Sequence, residues 1–162
     1  MHERAKIVVT NTTPLIALTA ALGSLDVLQF LYARVVVPFE VAQEVRAGGF
    51  FLVGVDVFES AKWLDVQTQP VVLSPFLKNS LDAGEASVIQ TAMNFSFPLV
   101  CIDEEVGRRM ARLSGLTLTG TLGLLIKAKQ LGFPIDMKLA IANMRQHGIW
   151  LSQSLIDFAL SH

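Results

Sequence analysis

The chain has 162 residues, of which 52% are apolar and 17% charged, with a formal net charge of −1 and a mean hydropathy of +0.50. This length suits one sizeable core rather than two, and the near-neutral balance excludes a global electrostatic pull on nucleic acid, so any such contact needs a local basic patch. No uncharged apolar stretch reaches the about 18 residues that span a bilayer, so the apolar excess points to a subunit interface, that of a homodimer.

Cys101 is the single cysteine and sits in the apolar run Pro98-Leu-Val-Cys-Ile102, which excludes an intramolecular disulfide and suggests a buried thiol in a reducing cytoplasm. The apolar run that follows Met1-His-Glu-Arg-Ala-Lys6 is only four residues long before Asn11, too short for a signal peptide, so secretion is not expected.

In chain order, Lys6-Ile-Val-Val-Thr10 reads as a buried strand that runs straight into a helix from about Pro14 to Leu22. Thr12 or Thr13 is placed to cap that helix and Gly23 to close it. Ser24 to Leu31 is amphipathic, Val35-Val-Val37 is a second strand, and Pro38 starts a helix that carries Glu40 and Glu44 and ends near Gly48-Gly49. From Phe50 to Ser80 the pattern is irregular, with a strand at Trp63-Leu-Asp-Val-Gln67 and a loop around Pro70 and Pro75. A helix from Ala83 to Asn94, a strand Leu99-Val-Cys-Ile102, a helix from Glu104 to Ser114 and a strand Leu116-Thr-Leu118 follow. Helices about Thr121–Leu131, Ile135–His147 and Ser152–Leu160 end the chain, with Gly132 and Gly148 as stops. Such alternation defines a three-layer α/β/α fold in one domain, residues 1–162, with a mainly parallel sheet of four to five strands and a helical C-terminal part.

Acidic or amide side chains fall at strand exits or on nearby helices in four places: Asn11, Glu44, Asp82-Ala-Gly-Glu85 and Asp103-Glu104-Glu105. Gathered at one sheet edge, they would form an all-oxygen site for Mg²⁺ or Mn²⁺. Each also has a purely structural reading. Asp82-x-x-Glu85 resembles a capping box, Asp103 an N-cap with Glu104 and Glu105 set against the helix dipole, and Glu44 a solvated carboxylate. Arg108, Arg109 and Arg112 could face phosphate or pair with Glu104 and Glu105, and Thr121 in Thr119-Gly-Thr-Leu-Gly123 could cap a helix or help hold phosphate. The first strand is followed by Asn-Thr-Thr-Pro without glycine, which excludes a dinucleotide fingerprint or P-loop. His2, His147 and His162 have no metal-binding or triad spacing.

The chain resembles the PIN-domain superfamily of metal-dependent nucleases, particularly the branch of small bacterial and archaeal proteins related to VapC-like toxins. The resemblance covers nearly the whole chain and rests on five segments in order: Ile7-Val-Val-Thr-Asn-Thr-Thr-Pro-Leu-Ile16, Val37-Pro-Phe-Glu-Val-Ala-Gln-Glu-Val45, Leu81-Asp-Ala-Gly-Glu-Ala-Ser-Val-Ile89, Leu99-Val-Cys-Ile-Asp-Glu-Glu-Val106 and Thr119-Gly-Thr-Leu-Gly-Leu-Leu-Ile-Lys-Ala-Lys129. It implies a Mg²⁺- or Mn²⁺-dependent endoribonuclease with Glu44, Glu85 and Asp103 as catalytic acids, and Asn11, Glu44, Asp82, Glu85 and Asp103 around the metal. Thr12, Arg108 and Thr121 would contact RNA, and the toxin half of a toxin–antitoxin pair, with a small antitoxin protein as partner, is one role the resemblance suggests.

The family's first strand ends in aspartate, and here it ends in Asn11. An amide keeps a ligand oxygen but lacks the charge that strengthens metal affinity and helps ionise bound water. The alternative is therefore a catalytically silent module that binds RNA or a protein partner, and a third reading is a structural dimerisation domain that binds no metal.

Overall fold

Residues 7–48 and 52–162 are described in a computed structural model of the chain. Lys6, expected to open the first strand, and Gly49, expected to help close a helix, lie outside the described residues, as do His2 and Phe50.

Runs of β-branched residues, too stiff to favour helix, build the sheet. β1 (Ile7–Thr10) passes through Asn11 into α1 (Thr12–Leu22), and α2 (Asp26–Leu31) returns the chain to β2 (Arg34–Val37). Then come α3 (Phe39–Arg46), α4 (Leu52–Ser60), β3 (Asp65–Val66), α5 (Pro75–Ser80) and α6 (Ala83–Asn94). β4 (Leu99–Cys101), α7 (Glu105–Leu113), β5 (Thr117–Thr119) and α8 (Thr121–Gln130) continue the alternation, and α9 (Met137–Gln146) and α10 (Gln153–Leu160) form the helical C-terminal part.

The five strands are all parallel in the order β3-β2-β1-β4-β5, and helices flank the sheet in the expected three-layer arrangement. Val8, Val9, Val36, Val37 and Val100 are buried, as befits strands covered on both faces. α1 is buried without a break from Pro14 to Ala21 and packs against α9, α3 and α4. It is therefore apolar all round rather than along one stripe.

The connections from β1 lead to β2 and β3 on one side, with β4 and β5 on the other, so the strand order reverses between β1 and β4. In open parallel sheets the crevice beyond the strand ends at that reversal is where ligands bind. Two hydrogen bonds carry the ladder past the strands there: Asn11 N–H donates to the Cys101 carbonyl and Ile102 N–H to the Thr119 carbonyl, both at 3.1 Å. They hold the start of α1, the lead-in to α7 and the start of α8 along one edge.

Several local expectations are corrected. α1 begins at Thr12, so Asn11 occupies the N-cap position, where its side chain makes no capping bond. Thr12 and Thr13 do not cap either: both lie inside the first turn, past the N-cap position, and their hydroxyls donate to Glu44 and Glu104 from other elements. The expected loop around Pro75 is α5, with Pro75 in its first turn and Ser74 Oγ accepting from Leu77 N–H. The expected strand Trp63–Gln67 shortens to Asp65–Val66, with Gln67 N–H still donating to the Val37 carbonyl at 2.9 Å. α4, hidden by its valines and Gly54 in a stretch that reads as irregular, packs against α1 and α3, so tertiary burial overrides weak helix propensity.

Candidate metal centre

α6 starts with Asp82 as N-cap, its Oδ1 accepting from Glu85 N–H at 2.9 Å. This is one half of a capping box. The other half is absent, because Glu85 does not turn back to the Asp82 backbone. Its carboxylate instead lies against Gly107 of α7, where an added Cβ would collide with Glu85 Oε2 and come within 3.0 Å of Ile102. Glu85 is only 7% exposed, and Oε2 is buried with no hydrogen-bond partner. Such an orphaned acceptor is rare in a folded protein and calls for a ligand or a proton.

Glu104, at the N-cap position of α7 but making no capping bond, completes the group. Asp82, Glu85 and Glu104 each offer a carboxylate oxygen, and these atoms lie within 4.8 Å of one another. Thr13 fixes Glu104 by donating its hydroxyl to Oε1 at 2.7 Å.

Glu44 approaches from α3. Thr12 Oγ1 donates to its Oε2 at 2.9 Å, and its carboxylate lies so close to Gly84 that any side chain at that glycine would displace it. Asp103 is held differently: Thr121 donates both its N–H and its hydroxyl, at 2.8 and 2.7 Å, so Asp103 caps α8 rather than α7. Gly120 leaves room for this, since a Cβ there would stand 2.9 Å from Asp103 Oδ1. Arg108 Nη1 donates to the carbonyls of Ile102 at 2.7 Å and Thr119 at 3.3 Å. The expected pairing of Arg108, Arg109 and Arg112 with Glu104 and Glu105 does not form. The ion pairs among the described residues are Arg34–Asp65, between β2 and β3, and Arg46–Glu59, between α3 and α4.

Of the sequence candidates, the structure thus brings Asp82 and Glu85 together with Glu104 of the Asp103-Glu104-Glu105 run, rather than with Asp103. Glu44 stands beside Gly84 of the same helix turn, and Asp103 is satisfied by Thr121. Asn11 is buried at the end of β1. Thr12, Thr121 and Arg108 already spend donors on Glu44, Asp103 and backbone carbonyls respectively. The run Asp103-Glu104-Glu105 did signal an acid at this helix start, but which of three consecutive acids meets Asp82 and Glu85 depends on how α7 is set; the one that does, Glu104, is exposed, as is Asp82, and only Glu85 is buried.

Crowding shapes the electrostatics. Burial, reinforced by Asp82 and Glu104, lifts the Glu85 carboxyl from an ordinary 4.5 to about 8. Burial also raises Glu44, opposed by the Thr12 hydrogen bond and reinforced by Asp82 and Glu104. Asp103 is raised by burial against the two Thr121 hydrogen bonds and Arg108. The Cys101 thiol, fully buried at the end of β4, is pushed up chiefly by desolvation and stays neutral.

The chain belongs to the PIN-domain family, whose pattern it matches over residues 7–162. Neither the curated proteins nor the solved structures compared with it include a match. PIN domains typically depend on a divalent metal, and the residues present fit one: the donors are all oxygen, they converge, and one of them is a buried oxygen without a partner. Among the described residues, no helix is long and apolar enough to cross a membrane.

Two outcomes follow from this geometry. Because the folded protein keeps a proton on Glu85 between about pH 4.5 and 8 that the unfolded chain releases, metal-free stability falls as pH rises through that window. Urea midpoints from pH 5 to 8 are expected to show this slope, reduced in Glu85→Gln. Alanine normally favours a helix over glycine by up to about 1 kcal/mol. Gly123→Ala, which meets only Thr119 Oγ1 at 3.8 Å, is expected to stabilise in this way, whereas Gly107→Ala is expected to lower the urea midpoint by displacing Glu85.

Proposed function

We propose that the protein is a Mg²⁺- or Mn²⁺-dependent endoribonuclease of PIN type, acting as a single domain in the cytoplasm, as a homodimer and as the toxin half of a toxin–antitoxin pair. The observation that carries the nuclease reading is the buried, unpartnered Glu85 Oε2 within the convergent carboxylates of Asp82, Glu85 and Glu104, at the point where the strand order reverses. The paired hold on Glu44 and Glu104 by consecutive threonines supports it, since Thr12 and Thr13 tie acids from two different helices to the start of α1.

In this reading Asp82, Glu85 and Glu104 hold the metal, with Glu44, Asp103 and Asn11 around it. A Mg²⁺ or Mn²⁺ ion there supplies Lewis acidity toward a phosphodiester and lowers the pKa of water. The chain's own part is preorganisation. Glu85 must give up its proton before it can serve as a ligand, so metal affinity rises with pH toward about 8. Thr12 and Thr13 keep Glu44 and Glu104 in place, and Thr121 and Arg108 keep Asp103 and the lead-in to α7 in place. Asn11 contributes an uncharged oxygen, which leaves the site one negative charge short of a four-acid arrangement. Thr12, Arg108 and Thr121 adjoin the RNA path through these same contacts.

The rival reading, a silent module that binds RNA or protein, is favoured by two observations: Asn11 is an amide, and both Asp103 oxygens are already occupied by Thr121. Incubation of the protein with single-stranded RNA and Mn²⁺ separates the readings. Cleavage is expected from the parent and a loss of at least about a hundredfold in Glu85→Gln and in the Asp103→Asn, Glu44→Gln double variant. A folded parent whose melting temperature rises with Mn²⁺ but which leaves RNA intact would establish the silent module. Asn11→Asp is expected to tighten Mn²⁺ binding by about tenfold, read from the metal dependence of the melting temperature.

A further inference from the structure

A groove of about 530 Å³ opens beside the carboxylates, between the start of α8 and the segment that joins α9 to α10. Its lining combines polar Thr13, Asp103 and Arg108 with apolar Ile126, Leu151 and Trp150. Trp150 is 83% exposed, unlike the chain's other tryptophan, Trp63, which packs partly buried against the core, and it stands in the connection between α9 and α10.

We infer that this groove is a subsite for one unpaired nucleobase of a single-stranded RNA, with Trp150 as its stacking platform. The inference rests on the nuclease reading above and goes beyond it, by assigning how the strand is held. Charge supplies the first argument. With a net charge of −1 and a cluster of acids at the site, the protein offers little attraction to phosphate. Arg108, a cation that acts on Asp103, directs Nη1 to two backbone carbonyls. A strand must then gain most of its affinity from contacts that do not depend on phosphate charge, and base stacking on an aromatic ring is the largest of these.

The second argument is the lining. Apolar lining with an exposed indole suits a flat, uncharged ring, while Thr119, Ser152 and Arg108 in the same lining suit the donors and acceptors of a base edge. The volume is that of a pocket for a small ligand, enough for one nucleotide unit. The third argument is continuity. Asp103 and Thr13 line the groove, and Thr13 also holds Glu104 of the carboxylate group, so a base in the groove places its adjoining phosphate toward those acids. Bases within a duplex are stacked and paired and cannot enter, so the subsite selects single strands. Phe158, also in the lining, already packs on His162 with ring centroids 4.2 Å apart, which leaves Trp150 as the platform.

The test is binding of a short, labelled, single-stranded RNA of mixed sequence in EDTA, where no metal-dependent cleavage occurs, followed by fluorescence anisotropy. Trp150→Ala is expected to weaken binding by about tenfold, and Trp150→Phe to restore most of it, as stacking requires. The same RNA annealed to its complement is expected to bind weakly and equally to all three proteins. Equal single-strand affinity in Trp150→Ala and the parent overturns the proposal. So does a parent that sediments as a dimer while Trp150→Ala is monomeric, which would show a second copy covering the groove. The melting temperature with and without Mn²⁺ keeps this result separate from the metal reading. A Mn²⁺-induced rise retained in Trp150→Ala, with unchanged RNA affinity, sinks the subsite alone. An RNA defect in Trp150→Ala with no Mn²⁺ effect in any variant supports the subsite and sinks the metal reading alone.

Discussion

Glu85 sets the conditions for everything around it. A carboxylate that is 7% exposed, with one oxygen unpartnered and two more acids at hand, costs free energy that the fold has to offset elsewhere. It does so by keeping Glu85 protonated to about pH 8 and by leaving room for it, since the absence of a side chain at Gly107 lets α7 settle over the carboxyl. The same device recurs at Gly84 beneath Glu44 and at Gly120 beside Asp103. Three acids thus lie against three glycines, so the close approach of backbone to carboxylate, rather than salt bridges, defines the site.

The hydroxyls complete that arrangement. Thr12, Thr13 and Thr121 each donate to a different acid, and each sits in the first turn of a helix whose own N-terminal N–H groups add a favourable field for negative charge. Among the acids, Asp103 is the best satisfied and Glu85 the least. A donor set with one well-held member and one starved member is what a cation can complete, because binding would discharge the crowding that the protein alone only partly relieves.

Much of the fold was legible. The valine runs of β1 and β2, the strand Leu99–Cys101 and the glycine stops at Gly23, Gly132 and Gly148 mark elements through local conformational preference, which needs no knowledge of the neighbours. α4 was not legible, because the valines and Gly54 of Leu52–Ser60 favour helix only weakly, and its packing against α1 and α3 is not visible in the sequence. At the site, Asp82 and Glu85 were visible as a pair three residues apart, yet the same spacing announces a capping box, and the structure forms the Asp82 half of one. Glu104 was visible only as one of three consecutive acids. Thr12 and Thr13 read as caps because a local rule assigns a hydroxyl at a helix start to the nearest N–H, and no local rule sees Glu44 or Glu104 arriving from elsewhere.

The sequence by itself determined the alternation of strands and helices, the parallel sheet and the placing of Asn11 at a strand exit, since periodicity and backbone preference act over a few residues. Only the tertiary structure decided which acids meet, which hydroxyl serves which acid, and that Glu85 ends buried without a partner. Those outcomes depend on side chains separated by 32 residues for Thr12 and Glu44 and by 91 for Thr13 and Glu104. Electrostatic crowding and burial are properties of distance in space, and the order of strands about β1 is what makes those distances short.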